Sequence, residues 1–475
     1  MTPISSNRPV YRHPREPLSL HRERQPSSIV SANLNRVIAI IIAAAATVLP
    51  IAGCTAADEP ETEKAPFAVA AAQQEQTVRD QAGGDGGDGD NQSALSVQLR
   101  TFDELVDALR EHYVFSDHHA VPWDDLESRY RTRVLGLLRS SEFPDVVRDM
   151  MDELPRDAAV WQSRDERIDR QSTDGRNYEG IGAYVAFRAE PQPRVILLSV
   201  MPGSPAERAG LRDHDALLAV DGIPVSVDEG EEVVNRIRGP AGSVVNLTVR
   251  TPNAEPRNVA VTRGSVQLTE GANRVRYALL PETNVAYILL PRQSTSTLGA
   301  EVAQALTVMG GEVALRGVIL DLRIAALGNN WPLDEMLGMF GNGTLGEMYS
   351  VAETIPLVIA GQDVAGSQTL PLALLVGRDT EGLPEIFAGA LQSVGRAVLF
   401  GARTGGYIEA SQLVPLPDGS RVMISSTSYR TATGLDVGLA GLEPNLSVSF
   451  DWDAVTEQVD PVRSASQAAL VGAGG

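Results

Sequence analysis

Reactions on a protein need nucleophiles, bases, metal ligands or anion cradles, and this chain of 475 residues distributes them unevenly. Among its 40 basic residues the only lysine is Lys64. Its six histidines are His13, His21, His112, His118, His119 and His214. Nothing beyond residue 214 is lysine or histidine, so the C-terminal half cannot supply a Ser–Lys or local Ser–His nucleophile–base pair. A hydroxyl there would depend on carboxylates. Thr380 stands between Asp379 and Glu381, with Glu385 four residues beyond Glu381. Such acids serve as bases only when their pKa values are raised, and in this grouping they are expected as solvated surface charge. His118 and His119 follow Asp117, but adjacent histidines point in different directions, and no metal site is expected. The single cysteine, Cys54, excludes an internal disulfide and a cysteine-based zinc site. Gly180-Ile181-Gly182 suits anion capture, because glycines let backbone N–H groups converge on a carboxylate while the following strand accepts an added peptide strand.

The formal charge of −21 argues against a nucleic-acid binder, which needs a basic face. Val37 to Leu49 is uncharged, follows Arg36 and precedes Ile51-Ala52-Gly53-Cys54. A basic flank, a short apolar core and small residues before a cut site describe a secretory signal. The Ile-Ala-Gly-Cys ending resembles the bacterial lipobox, which implies cleavage of residues 1–53 and diacylation of Cys54. The acidic body will not adhere to anionic lipid, so membrane attachment rests on the acyl anchor alone. Thr55 in place of an aspartate points to the outer membrane, with the protein facing the periplasm. Residues 54–94, rich in Ala, Glu, Gly and Asp, read as a flexible tether.

Three folded segments are expected to position the chemistry. In residues 95–172, Phe102, Leu105, Leu109 and Tyr113 recur at helical spacing, as do Leu126, Tyr130, Val134 and Leu137; a third helix runs from Phe143 to Leu154. Residues 173–264 alternate strands with short helices. Ser204 caps a turn of helix that closes at Gly210, Asp221-Gly222 marks a hairpin, and Glu231 to Arg238 carries Val233 and Ile237 on one face. Residues 265–455 predict strands at Val285–Leu290, Val318–Leu322, Leu372–Val376 and Ala397–Phe400, with helices at Leu298–Met309, Leu333–Phe340 and Glu385–Val394. Residues 456–475 read as a disordered tail. The class is a multidomain α/β protein.

The run Met201-Pro202-Gly203-Ser204-Pro205-Ala206-Glu207-Arg208-Ala209-Gly210-Leu211, with Leu217 to Gly222, resembles a PDZ domain of the bacterial protease type. Further matches are Gly317-Val318-Ile319-Leu320-Asp321-Leu322-Arg323, Gly395-Arg396-Ala397-Val398-Leu399-Phe400-Gly401 and Gly441-Leu442-Glu443-Pro444. In their order they resemble the tail-specific, or C-terminal-processing, serine peptidases. That resemblance implies a helical N-terminal segment, a PDZ domain and a crotonase-like α/β core, with a serine nucleophile and a lysine base. The family reads Gly-Ser-Ala-Ser-Ala-Ser-Glu at the nucleophile, whereas this chain reads Asp379-Thr380-Glu381-Gly382-Leu383-Pro384-Glu385, placing Gly382 at the nucleophile position. The lysine position falls on Tyr407, the assisting glutamine position on Ser411, and the oxyanion turn on Ile324-Ala325-Ala326-Leu327.

The resemblance therefore predicts a divergent, non-catalytic member. It would bind peptide or protein C-termini through Gly180, Ile181 and Gly182, with Val233 and Ile237 lining the groove, and would use no cofactor. Two other functions stay open. One is an active serine-type endopeptidase, with a displaced nucleophile such as Thr380 beside Asp379 and Glu381, or with a base from outside the core such as His214 or a partner chain. The other is an envelope scaffold that docks an active peptidase or an envelope complex. An apolar pocket around Leu327, Trp331 and Leu383 reads as ordinary core packing.

Overall fold

The structure is a computed structural model. It describes residues 89–137, 139–155, 158–168, 178–189, 192–266, 274–280, 282–294, 296–326, 331–408, 410–455 and 459–472. Cys54, the signal segment and Leu327 lie outside the described residues. The chain forms two compact units; the smaller takes the residues up to Ile168 together with Ser411–Ser425, and the larger takes the rest of the described chain.

In the smaller unit the first helix, Gly89–His112, buries Phe102, Leu105 and Leu109 completely, one face at the expected spacing. It begins inside the stretch read as a tether, which is corrected to end by Gly89. The helices Trp123–Leu135 and Phe143–Glu153 bury Leu126, Tyr130, Val134, Val147 and Met150. Residues 159–162 pair antiparallel with residues 421–424. His118 and His119 end a single helical turn, Ser116–His119, and His119 stacks on Tyr113 at 6.2 Å. Among the described residues no cluster of His, Cys, Asp and Glu could hold a metal.

The larger unit begins with a small β module. Its sheet runs Ala183–Arg188, Arg194–Val200, Ala216–Val220, Val244–Arg250, Arg257–Thr262, all antiparallel. The Ser204 side chain accepts the Glu207 N–H at 3.2 Å, capping the turn Pro205–Arg208. Asp221 and Gly222 have φ of 48° and 79°, the pair of positive values that a tight hairpin requires. Ala183–Arg188 is an edge strand of this sheet.

The second part is a sheet in the order Arg276–Leu280, Val285–Leu289, Gly317–Asp321, Leu372–Val376, Val398–Gly401, Leu446–Ser447. Its first pair is antiparallel and the others parallel. Strand residues alternate faces. Ala286, Ile288, Val318, Leu320, Leu372 and Leu374 point into the core shared with helices Leu298–Glu312, Leu333–Phe340 and Leu383–Ser393. Val285, Tyr287, Ile319, Ala373 and Leu375 face the other way, against Val462 and Leu470. Those two belong to a helix, Pro461–Gly472, so the disordered tail read from the sequence is corrected for these residues. Small residues and few charges suggested fraying, but the sheet's second apolar face needs a cover, and this helix supplies it. Residues 411–425, expected within the core segment, instead group with the smaller unit.

Candidate functional site

The helix Leu383–Ser393 presents its N-terminus where the strand Leu372–Val376 ends, and the loop between them carries the degenerate motif. Gly382 is the residue before this helix, with φ 70° and ψ −137°, a conformation open to glycine and strained for a side chain. It therefore offers no nucleophile, and its backbone shape suits having none. Its N–H donates to the Tyr407 carbonyl at 2.7 Å. Tyr407, expected at the base position, is 51% exposed.

Oxyanion stabilisation needs N–H groups left open for the developing charge. Here the N–H groups of Ala325 and Ala326 are bound internally. Ala325 N–H donates to the Leu322 carbonyl at 2.9 Å and Ala326 N–H to the Arg292 carbonyl at 3.1 Å. The Ala325 carbonyl in turn accepts the Glu381 N–H at 3.1 Å. The turn and the nucleophile loop are thus joined by backbone bonds, with Gly382 fixed by Tyr407.

Thr380 is fully buried. Its hydroxyl donates to the Leu322 carbonyl at 2.9 Å and accepts the Gly377 N–H at 3.0 Å. It acts as a buried loop strut, its one proton committed to the Leu322 carbonyl, a placement that speaks against a displaced nucleophile. The expectation of solvated acids is also corrected. Asp379 pairs with Arg188 of the β module, both part-buried. Glu381 is pushed up by burial, with Arg292 at 3.8 Å. Glu385 is fully buried and its carboxyl is pushed up to about 7, first by burial, against the pull of hydrogen bonds from Thr404 and Gly406. One carboxyl oxygen accepts from the Thr404 hydroxyl and from Gly406 N–H, while Oε2 has no partner. Sequence spacing could not reveal this, because Glu385 lies in the first turn of a helix whose burial depends on Val437 and Leu442 far along the chain.

The remaining predicted residues fall as follows. Ser411 opens the strand Ala410–Pro415 and is exposed, and it belongs to the smaller unit. Trp331 is 4% exposed and packs on Phe387 at 5.5 Å between ring centroids, and Leu383 packs against the same core. His214 has its pKa lowered by burial and by Arg323, and Arg323 is bonded to Asp321 and Asp460. It belongs to that ion network at the end of Gly317–Asp321.

In the β module Gly180, Ile181 and Gly182 are all buried. The carbonyls of Ile181 and Gly182 accept the N–H groups of Ala206 at 2.8 Å and Met201 at 3.0 Å. Val233 and Ile237, expected along a peptide groove, are 0% and 3% exposed and belong to the module's own apolar core, so that assignment is corrected. Their helix, Glu231–Ile237, is only seven residues long and spends its apolar face on that core. The face of the sheet carrying Ala186, Ile196 and Leu198 packs instead with Ile324 of the oxyanion turn.

Comparison with known proteins gives three matches in chain order: the Tricorn protease C1 domain over residues 100–152, a PDZ domain over residues 196–251 and peptidase family S41 over residues 284–448. The carboxyl-terminal-processing protease of Picosynechococcus sp. is 33% identical over 287 residues, 58% of this chain and 65% of that protein. The protein of the same name from Synechocystis sp. is 30% identical over 310 residues, 63% of this chain and 69% of that protein. The chain thus spans about two thirds of the length of these curated relatives. Among solved structures, the photosystem II D1 C-terminal processing protease superposes with a TM-score of 0.56 at 24% identity, over 78% of this chain and 97% of that one. That likeness is one of fold.

Proposed function

This chain belongs to the carboxyl-terminal-processing peptidases of family S41, and on that premise we propose that it is a non-catalytic member that captures peptide or protein C-termini. The observation that carries this reading is Gly382, which stands at the nucleophile position with its N–H already bonded to Tyr407. Hydrolysis by this fold needs a hydroxyl, a base and open oxyanion donors. Gly382 lacks the first, no lysine or histidine lies beyond residue 214 for the second, and the N–H groups of Ala325, Ala326 and Gly382 are bonded to carbonyls.

Binding needs none of these. The edge strand Ala183–Arg188 can accept an added peptide strand, the recognition mode of PDZ domains. The working protein is a lipoprotein anchored through Cys54 on the periplasmic side of the outer membrane, where protein C-termini are its ligands. The test is incubation of the purified protein with peptides ending in free carboxylates, read by mass spectrometry for both capture and cleavage. Capture without cleavage is the expected result, with weaker capture of C-terminally amidated peptides. Cleavage that survives repurification overturns the non-catalytic reading.

A further inference from the structure

A PDZ-type ligand delivers its carboxylate to the glycine loop, yet here Gly180, Ile181 and Gly182 are buried. A few residues away lies a cavity with a different anion chemistry. It opens where the end of Arg194–Val200 meets the core segment that follows Val285–Leu289, and its free interior is about 20 Å³. That is room for a water molecule, or for a single carboxylate oxygen in its place. Arg274, Arg276 and Arg292 line it, beside the ring of Tyr184 and the apolar side chains of Leu290 and Ile324.

The three arginines are not equivalent. Arg276 Nη2 reaches Asp213 at 3.3 Å. Arg292 lies over the Tyr184 ring, 5.4 Å from its centroid, and its Nη2 is 3.8 Å from Glu381, beyond hydrogen-bond range. Its Nη1 is buried and donates to nothing. A buried guanidinium N–H without an acceptor is costly, and a planar fork held on an aromatic face is preorganised for a carboxylate. The backbone beneath it is fixed as well, since the Arg292 carbonyl accepts the Ala326 N–H of the oxyanion turn. The cavity thus joins the edge strand, through Tyr184, to the degenerate site, through Ile324.

We infer that this cavity is a carboxylate site, and that Arg292, rather than the buried glycine loop, fixes the terminal α-carboxylate of a captured peptide. This rests on the reading that the protein captures C-termini. The half-buried Ile324 would then meet the last side chain, so the ligand class is a peptide ending in an apolar residue with a free carboxylate. No covalent step is involved.

The test compares one fluorescent peptide ending in alanine or valine as its free acid and as its amide, with the purified full chain and with Arg292→Gln. Loss of a charge-assisted hydrogen bond predicts roughly 10- to 150-fold weaker binding of the free acid by the variant, with amide binding unchanged. Arg292→Lys keeps the charge without the fork and is expected to fall between the two. It also serves if Arg292→Gln fails to fold, as judged by circular dichroism. If the native protein prefers the acid and both variants keep that preference in full, the assignment to Arg292 is overturned while C-terminus capture stands. If the native protein binds neither peptide, capture itself is overturned, and this site with it.

Discussion

Replacing Glu385 with glutamine isolates the electrostatics of the degenerate site. The carboxyl is fully buried, with one oxygen accepting from Thr404 and Gly406 and the other unpartnered. Burial is the largest influence and raises it from 4.5 to about 7. The folded state therefore holds a proton that the unfolded chain releases between those values. Stability is fully present below pH 4.5 and is lost as pH rises towards 7. At about 1.4 kcal/mol per unit, the interval corresponds to about 3 kcal/mol. Glutamine keeps the acceptor for Thr404 and Gly406 and carries no charge, but it places an NH₂ where Oε2 lacks a partner, at a cost of about 1–2 kcal/mol. Glu385→Gln is thus expected to be less stable than the native protein below pH 5 and more stable at pH 8, by about 1–2 kcal/mol each way. Urea unfolding at half-unit pH steps reads this, and the difference between the two curves cancels the titration of every other group. Hydrogen exchange at the Gly406 amide, bonded to this carboxyl, gives a local reading of the same change. Parallel curves with no crossing would refute the argument, since the carboxyl would then titrate alike in folded and unfolded chains.

Gly382→Ser is expected to leave cleavage undetectable by mass spectrometry and to cost roughly 1–3 kcal/mol in a melting experiment, because a side chain is strained at φ 70°. Gly382→Ser with Tyr407→Lys should also stay inactive, since the Ala325 and Ala326 N–H groups remain bonded to Leu322 and Arg292; turnover would show that the turn reopens. Leu470→Ala should destabilise by roughly 2–5 kcal/mol in urea titration, as expected of a leucine packed against the sheet's second face, and a change below about 0.5 kcal/mol would mean that this helix is not docked. Cys54→Ser should move the protein from the membrane to the soluble fraction on ultracentrifugation, and continued membrane association would remove the lipid-anchor reading.

Much of the framework was legible because local rules and tertiary demand agreed. Leu333–Phe340 and Leu372–Val376 begin and end where periodicity placed them, and Ser204, Asp221 and Gly222 perform the cap and turn that their chemistry suits. The failures share a cause in long-range packing. Val233 and Ile237 lie on the expected helical face, but a seven-residue helix has only one apolar face to give, and the module's core took it. The C-terminal segment looked too small and polar to fold alone, and it becomes helical against a sheet face built from residues 285–400. At the site, the residue types at 382 and 407 are plain in the sequence, while their roles rest on the family resemblance. The burial of Glu385 and the backbone bonds that join the turn to the loop depend on contacts between segments far apart in the chain, which spacing does not encode.

Those backbone bonds bear on whether a partner could complete the site by lending a base. In a latent enzyme the missing group is absent but its surroundings stay open: oxyanion donors remain free and a cavity is kept for the incoming side chain. Here the surroundings have closed on one another. Gly382 N–H is held by Tyr407, Glu381 N–H by the Ala325 carbonyl, and Ala326 N–H by the Arg292 carbonyl. Ile324 is covered by the β module, and Arg188 ties that module to Asp379. A borrowed lysine or histidine would supply a proton acceptor to a loop whose one hydroxyl, on Thr380, is buried and already donates to Leu322, and whose Glu381 and Gly382 N–H groups are already bonded. Each backbone bond would also have to break at a cost of about 0.5–1.5 kcal/mol before catalysis gained anything. What this arrangement leaves is an edge strand and a cationic cavity, the two features on which the proposed capture of C-termini rests.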